Sequence, residues 1–365
     1  MITALPVETV AVRHVLGGMA PVPARHDPNR YATVTLACGT VVSTLLVATG
    51  NAAAADACAH LVHSFPSVRT VVMCGIALGV PRPGDPEHDL RLGDVAVGSA
   101  GVVHYSHRRV TDGGSDLRGD TLVASPTLMR GVNEIRAAQH LGRRPWQRWL
   151  DAPPFASYRR PGPHTDPLPA RPGSAEVFYG RIGSGDELLR SASRRDEIAR
   201  TGDLLAIEME GAGVAVSAAL GGRECLVIRG ISDYGDAEKS DLWQPYASLA
   251  AAAYLRAVLE ALGEGRAGSR PSRPMDLVGL MERVPSLQTP ADRDVVLNLL
   301  GPPISVRVAR DARTRVALLH LVKICEEYPS GFRDLVAVLV DLEGADSTPV
   351  SELAAALGGS AADHS

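Results

Sequence analysis

Residues 225–236 of this 365-residue chain, CLVIRGISDYGD, carry the strongest indication of its fold. They open on a wholly apolar run, Leu226–Ile228, which is typical of a short strand buried on both faces. This strand delivers Ser232 and Asp233 to its carboxyl end, where open α/β sheets bind their ligands. Asp233 is therefore a candidate general acid. The alternative is an Asx-type turn or a helix cap.

A second pair of acids, Glu208 and Glu210, follows another predicted strand, Leu204–Ile207. A helix of small residues, Glu210–Leu220, comes directly after it. Two carboxylates within three residues at a strand end suit ligand binding. The helix dipole also favours acids at a solvated helix start. Both interpretations stay open on these residues alone.

Two earlier segments carry weaker signals of the same kind. The glycine turn GIALG, residues 75–79, follows a predicted strand at Thr70–Cys74. Its small residues would let a ligand approach the backbone closely. The N-terminal segment ALPVE, residues 4–8, places Glu8 at the start of a helix, where ordinary capping is the alternative explanation.

Strands and helices alternate through residues 1–262, which predicts an α/β layered domain with a mixed sheet. Aromatic residues make up only 4% of the chain, so the core is expected to consist mainly of Ala, Val and Leu. The other predicted elements are strands at Tyr31–Ala37, Val41–Ala48 and Asp94–Val103, and helices at Asn51–Ser64 and Tyr246–Leu262.

Residues 107–175 interrupt this alternation with many Arg, Pro, Gly and Asp residues. The segment predicts one helix near Ser125–Gln139 and otherwise a long excursion with little regular structure, which could form a lid or an edge of the pocket. Five of its arginines are candidates to meet a substrate phosphate, or else they form a solvated basic loop: Arg108, Arg109, Arg118, Arg159 and Arg160.

The chain changes character at residues 263–274, GEGRAGSRPSRP, whose composition is typical of a linker. Residues 275–345 then show helical spacing of Leu, Val and Ile, which predicts a small all-α domain. Residues 346–365 complete the chain with a short helix, Ser351–Leu357, and a tail rich in Gly, Ser and Ala. The predicted helices of the all-α domain are Asp276–Val284, Ala291–Leu300, Arg310–Tyr328 and Phe332–Leu342.

Composition argues against several classes of protein. The formal net charge of −4 gives no electrostatic reason to bind nucleic acid or an anionic membrane. The five cysteines are scattered without CxxC or zinc-like spacing, so we expect reduced thiols and no metal site. No apolar run reaches the ~20 residues of a membrane span, and no signal peptide is visible. We therefore expect a cytoplasmic protein.

The order and spacing of these segments resemble the purine nucleoside phosphorylase/uridine phosphorylase superfamily, and within it the 5′-methylthioadenosine/S-adenosylhomocysteine nucleosidases. The resemblance covers about residues 1–262 and implies a three-layer α/β fold with a central mixed sheet. It rests on the runs above and on four further matches: LGDV at 92–95, SGD at 184–186, IEMEGA at 207–212 and WQPYA at 243–247.

The resemblance implies hydrolysis of the N-glycosidic bond of a purine nucleoside or derivative, without a metal or cofactor. It makes Glu8 the acid that orients and deprotonates water, and Asp233 the acid that protonates purine N7. Glu210 corresponds to the carboxylate that grips the ribose hydroxyls. The family also implies a homodimer. The other implied substrate-binding residues are Ile76, Ala77, Leu188, Leu189, Glu208, Met209 and Ser232.

Departures from the family pattern keep other functions open. Leu78 stands where many members have glycine, Leu188 replaces a stacking aromatic residue, and only Met1–Thr3 precede the ALPVE segment. No clear anion site accompanies Glu8 or Gly75, which favours hydrolysis over phosphorolysis. The alternatives are a nucleotide N-glycosidase effector (acting, for example, on ATP), a purine nucleoside phosphorylase, and a non-catalytic nucleoside sensor.

The C-terminal domain resembles the second type of effector-associated domain, a small helical adaptor joined to enzymes in bacterial signalling and defence systems. The segments that carry this resemblance are residues 276–287, 293–301 and 328–336. It implies that the domain binds the matching domain of a protein partner, which triggers the enzyme as an effector. An unrelated helical appendage is the alternative.

Overall fold

The computed structural model describes residues 1–24, 26–112, 114–117, 121–168, 175–267, 274–328, 330–344 and 346–357. The chain divides into two compact units, Met1–Gly263 and Glu264–Ser365. Within the described part of the chain, no helix combines the length and the apolar character that a membrane span requires.

The N-terminal unit is a mixed sheet with helices, which confirms the predicted α/β class. Its strands are β1 (Ile2–Thr3), β2 (Ala20–Val22), β3 (Tyr31–Leu36), β4 (Gly39–Leu45), β5 (Thr70–Gly79), β6 (Val95–Val97), β7 (Val102–His104), β8 (Arg108–Thr111), β9 (Gly114–Leu117), β10 (Val177–Tyr179), β11 (Arg181–Ser184), β12 (Leu204–Glu208) and β13 (Glu224–Asp233). Its helices are α1 (Pro6–Leu16), α2 (Asn51–Ser64), α3 (Pro126–His140), α4 (Gln147–Leu150), α5 (Ala192–Gly202), α6 (Gly211–Leu220) and α7 (Gln244–Ala267). Three short 3-10 helices lie at Ala156–Tyr158, Pro163–Thr165 and Asp241–Trp243.

The strands of the main sheet run in the order β10-β6-β13-β5-β1-β4-β3-β2. The last residues of β5 also pair antiparallel with β12, on the edge of β5 opposite β13. β12 pairs in parallel with β11, and β11 pairs in parallel with β7. β13 and β5 are parallel neighbours in the middle, paired from Glu224↔Thr70 to Asp233↔Leu78. Because they end together, the glycine turn of β5 and the acidic end of β13 lie side by side, at the edge where ligands bind.

Two strands differ from the prediction. β5 does not stop at Gly75 but continues to Gly79, because β13 pairs with it on one side and β12 on the other. The single strand predicted at Asp94–Val103 is two strands, β6 and β7, with a turn closed by the Gly101 N–H on the Gly98 carbonyl. Gly101 has a φ of +95°, a conformation that favours glycine.

The excursion has more regular structure than the sequence predicted. It contains the hairpin β8–β9, helix α3 close to its predicted position, and α4. Trp146 is fully buried and donates its Nε1–H to the carbonyl of Ala175 at 3.1 Å. The Tyr158 hydroxyl donates to the carbonyl of Val7 at 2.8 Å. The Tyr158 hydrogen bond attaches the excursion to α1, and Trp146 packs into the core against Tyr254 of α7.

Small residues let helix α7 pack closely on the sheet. Residues 250–253 of α7 are four consecutive alanines without solvent exposure. A Cβ built at Gly230 of β13 would overlap the backbone carbonyl of Ala247. The core between α7 and the sheet is therefore built from small residues instead of aromatic ones. The helix and the strand pack closely there, so substitutions by larger side chains are poorly tolerated.

The C-terminal unit is helical, as predicted. Leu318, Val322 and Leu335 are fully buried in its apolar core, and Arg293 donates to the carbonyls of Leu287 at 3.1 Å and Gln288 at 3.0 Å. Its helices are α8 (Pro274–Met281), α9 (Pro290–Leu300), α10 (Pro302–Ser305), α11 (Thr314–Glu327), α12 (Gly331–Glu343) and α13 (Thr348–Ala356).

The predicted linker and tail need correction where the structure describes them. α7 runs to Ala267, so the first part of the 263–274 segment is helical, and residues 268–273 lie outside the described residues. α13 begins at Thr348, three residues before the predicted start, because Pro349 suits the first turn of a helix. Residues 358–365 also lie outside the described residues.

Candidate active site

The centre of the candidate site is the guanidinium of Arg229, which β13 places opposite Gly75 of β5. The Arg229 side chain is 1% exposed. Its Nη2 donates to Glu208 Oε2 and, at 3.2 Å, to Glu210 Oε2. Its Nη1 lies 4.0 Å from Glu8 Oε1. Carboxylates from α1, the end of β12 and the start of α6 therefore meet around one buried cation.

Glu8 lies in the first turn of α1 and joins that helix to β5. Its Oε2 accepts the backbone N–H groups of Ala4 at 2.6 Å and Leu5 at 2.9 Å, and its Oε1 accepts that of Ile76 at 2.9 Å. Burial raises the pKa of the Glu8 carboxyl above its ordinary value, although Arg229 and these N–H donors act in the opposite direction. Glu8 thus caps its helix and also faces the site.

Gly75 allows Glu8 and Arg229 to approach β5 closely. A Cβ built at Gly75 would overlap Glu8 Oε1 and would lie 2.6 Å from Arg229 Nη1. The sequence predicted that small residues here admit a ligand. In the structure they first admit the side chains of the site itself.

Glu208 and Glu210 have different partners. Both oxygens of Glu208 accept the N–H of Gly211, at 2.9 and 2.8 Å, so that Glu208 caps α6. Glu210 Oε1 instead accepts the N–H of Gly50 at 3.1 Å, at the start of α2. Burial raises the pKa of Glu210, while Arg229 opposes the shift and the neighbouring Glu208 adds to it.

A polar brace, to which the sequence patterns gave no functional role, holds α2 and α6 together. Asn51 Oδ1 accepts from Ser184 Oγ at 3.0 Å and from the N–H of Gly213 at 2.7 Å. Asp186 Oδ1 accepts the N–H of Asn51 at 2.9 Å. The SGD motif and the helix start at Asn51 were visible signals, but their partners lie 133 to 162 positions away in the chain. The sequence likewise showed Arg229 only as the first residue of the RGISD motif at 229–233 and did not indicate its role at the centre of the site.

Asp233 lies four residues beyond Arg229 on β13, at most ~13 Å from it along a strand. Its Oδ1 accepts the N–H of Gly235 at 2.9 Å, which is the Asx-type turn considered as the alternative. Its Oδ2 accepts from Ser232 Oγ at 2.9 Å and lies 3.2 Å from Lys239 Nζ. Asp233 is 6% exposed.

A cavity of about 250 Å³ adjoins Asp233, with Lys239 and Trp243 in its wall. The excursion supplies part of that wall, since Trp243 Nε1 donates to Thr165 Oγ1 at 3.1 Å. The guanidinium of Arg160 lies 5.9 Å from the centroid of the Trp243 ring. This cavity adjoins the candidate general acid, whereas Glu8, Glu210 and Arg229 are not among its lining residues.

The other arginines predicted to meet phosphate are spread out. Arg108 and Arg109 belong to hairpin β8–β9, and Arg159 is exposed. Arg118 lies outside the described residues. A phosphate contact by these arginines stays a prediction.

Three predicted lining residues lie next to the carboxylates. Ile76 donates its N–H to Glu8, and its carbonyl accepts from Arg229 Nη1 at 3.2 Å. The carbonyl of Ala77 accepts from Ser232 Oγ at 3.4 Å. Met209 is half-buried between Glu208 and Glu210 in the chain.

The two predicted base-contacting leucines have different surroundings. Leu189 is buried in an apolar cluster with Leu78, Tyr105 and Ile207. Leu188 is 66% exposed to solvent. Leu189 thus belongs to the packed core, and a contact of either leucine with a base stays a prediction.

Among the described residues, no group of three or more His, Cys, Asp or Glu side chains is arranged to hold a metal ion. Cys58, Cys74, Cys225 and Cys325 are buried thiols. The functional groups that this arrangement brings together are carboxylates, one guanidinium and one ammonium.

Two family models match the chain. Residues 2–261 match the phosphorylase superfamily, and residues 278–358 match effector-associated domain 2. Both resemblances stated from the sequence are thereby confirmed.

Curated relatives match the chain over part of their length. A nucleotide-binding leucine-rich repeat (NLR)-like protein of Hyaloscypha variabilis is 30% identical over 293 residues, 71% of this chain and 28% of that protein. The ATP nucleosidase Cap17 of Escherichia coli strain KTE188 is 26% identical over 266 residues, 69% of this chain and 49% of that protein. The matched region thus spans between about a quarter and half of these relatives.

Solved structures share the fold. The 5′-methylthioadenosine/S-adenosylhomocysteine nucleosidase of Helicobacter pylori superposes with a TM-score of 0.54 at 18% identity. The superposition covers 71% of this chain and 96% of that one. The common fold is therefore that of the N-terminal unit.

Proposed function

Because this chain belongs to the phosphorylase superfamily, we propose that its N-terminal unit hydrolyses the N-glycosidic bond of a purine nucleoside or nucleotide and releases the free base. The observation that carries the proposal is the convergence of Glu8, Glu208 and Glu210 on Arg229, with Asp233 further along the same strand.

The geometry suits the charges that develop as a ribosyl C–N bond breaks. Positive charge grows on the sugar, which carboxylates stabilise, and negative charge grows on the departing purine, which a proton on N7 neutralises. Glu8 would take a proton from the attacking water and Glu210 would bind the ribose hydroxyls. Asp233, beside the cavity, would protonate the base.

The charge balance around Arg229 supports hydrolysis over phosphorolysis. Three carboxylates face one guanidinium, which leaves the cluster at −2 when all four groups are ionised. Such surroundings repel phosphate and accept a neutral water molecule. A phosphorylase needs an anion site beside the ribose. Here the central cation, Arg229, is already paired with carboxylates of the protein.

We further propose that the substrate is a nucleotide and that the C-terminal unit regulates the activity. The Escherichia coli relative is named an ATP nucleosidase, which supports a nucleotide as substrate. The match of residues 278–358 to an effector-associated domain supports an effector that a protein partner activates. The superfamily resemblance adds a homodimer as the expected assembly.

A product assay tests the proposal. The full chain is incubated with a panel of nucleosides and nucleotides, with and without phosphate, and the products are identified by mass spectrometry. We expect free purine and ribose or ribose phosphate carrying the original 5′ group, independent of phosphate. Asp233→Asn should lose ~10²–10⁴-fold in kcat, while Asp56→Asn, at a 70% exposed site, serves as the matched control. Base release that requires phosphate would establish phosphorolysis instead, and full activity in Asp233→Asn would remove Asp233 from the mechanism.

A further inference from the structure

Lys239 is an unassigned charged residue in direct contact with the candidate general acid. Its Nζ lies 3.2 Å from Asp233 Oδ2, and its side chain is 18% exposed. It also lines the cavity beside Asp233, together with Asp236, Glu238 and His164. The ammonium is thus mostly shielded by protein but keeps a route to solvent.

The choice of lysine at this position is unusual for this chain. Of the 37 basic Lys and Arg residues, only Lys239 and Lys323 are lysines. Lys239 is therefore the single lysine of the N-terminal unit, which elsewhere uses arginine, as at the buried centre of the site. Arginine keeps its protons under all ordinary conditions, whereas a lysine ammonium can release one.

The hydrogen bonds of Asp233 leave separate positions for an arriving and a departing proton. A carboxylate oxygen has two lone pairs. Oδ2 accepts from Ser232 Oγ and faces the Lys239 ammonium at 3.2 Å as an ion pair, whereas the contacts of the described residues show one donor to Oδ1, the N–H of Gly235. A proton can therefore enter at Oδ2 while another leaves from Oδ1.

We propose that Lys239 supplies, through Asp233, the proton that the departing purine takes up. This inference rests on the function proposed above. As the ribosyl C–N9 bond breaks, its electron pair stays on the purine, and an N7–H bond forms with the proton on Asp233 Oδ1. The Nζ–H bond of Lys239 breaks and returns a proton to the carboxyl at Oδ2. Lys239 regains its proton from solvent, and the proton on Oδ2 moves to Oδ1 before the next turnover. Water supplies hydroxide to the sugar and one proton to Glu8, which then releases it to solvent.

The test compares Lys239→Arg and Lys239→Met on two substrates. One is the purine substrate found in the panel, and the other is a 4-nitrophenyl β-riboside with the same 5′ group, whose leaving group needs no proton. We expect both variants to lose at least ~10-fold in kcat on the purine substrate, with KM within ~3-fold. On the nitrophenyl riboside both should stay within ~3-fold of wild type, which also shows that the site is folded. Lys323→Arg, on the exposed surface of α11, is the matched control.

Each of the following outcomes would contradict the proposed proton relay from Lys239 through Asp233 to the purine. Purine hydrolysis retained by Lys239→Arg means that the positive charge alone is needed. Faster hydrolysis by Lys239→Met means that Lys239 restrains Asp233. An equal loss on both substrates means a structural role. Wild-type protein that cleaves the nitrophenyl riboside and no purine removes the proposed function, whereas active wild type with unaffected variants removes only the relay.

Discussion

Replacing Arg229 by methionine should destabilise the N-terminal unit strongly, and in a pH-dependent way. At an effective dielectric constant of ~20, the attraction of Arg229 for Glu8 at 4.0 Å is about 4 kcal/mol, and for Glu210 at 3.2 Å about 5 kcal/mol. The desolvation of the guanidinium offsets part of this attraction, but removing one partner of a buried ionic network typically costs ~3–5 kcal/mol. We expect Arg229→Met to lose about that much free energy of unfolding near neutral pH.

The pH dependence has a definite sign. Burial raises the folded-state pKa of both Glu8 and Glu210 above the ordinary value of 4.5, so the folded chain binds protons more tightly than the unfolded chain. Stability therefore falls as the pH rises from 4.5 through the folded-state values. Without Arg229 both pKa values rise further. The deficit of the variant relative to wild type should thus be larger at about pH 7.5 than at about pH 5.

Tryptophan fluorescence measures this deficit for the right part of the molecule. All three tryptophans, Trp146, Trp149 and Trp243, belong to the N-terminal unit. Urea unfolding at the two pH values gives the free energies. Adding Glu208→Gln to Arg229→Met should recover part of the loss, because one uncompensated charge is removed. A deficit under ~1 kcal/mol near pH 7.5, or one that does not shrink on acidification, would contradict this role of Arg229.

Two further predictions concern the same carboxylates. Gly75→Ala should lower kcat at least ~10-fold and lower the free energy of unfolding by ~1–3 kcal/mol, because its Cβ would displace Glu8 and Arg229. The control is Gly279→Ala, because no atom lies within 4 Å of a Cβ built there. Equal effects of the two substitutions in kinetic and thermal unfolding assays would contradict the prediction. Because Glu8 must be ionised to accept a proton and burial raises its pKa, kcat/KM should fall on acidification with a midpoint above 4.5, and a pH–rate profile that stays flat down to that value contradicts its role as base.

Local sequence patterns predicted those parts of the site that lie on single elements. The apolar run before Arg229 predicted β13, and the acids at 208 and 210 were placed at the end of their strand. The extension of β5 to Gly79 was missed, because its small residues resemble a turn and only pairing with two neighbouring strands makes them a strand. The excursion was predicted to lack regular structure because nothing local shows that Trp146 is buried.

The α/β class, the helical C-terminal unit and the acids available for chemistry could be predicted from local patterns, since hydrophobic periodicity and motif order are properties of short windows. Which groups meet depends on the folded chain: Arg229 with three carboxylates, Asn51 with Ser184 and Lys239 with Asp233. Most of these pairings join distant parts of the chain, and even the near pair depends on how a loop folds back on its strand. The net charge, the burial and the number of hydrogen bonds of a site depend on residues from separate parts of the chain. A local sequence pattern therefore does not predict them.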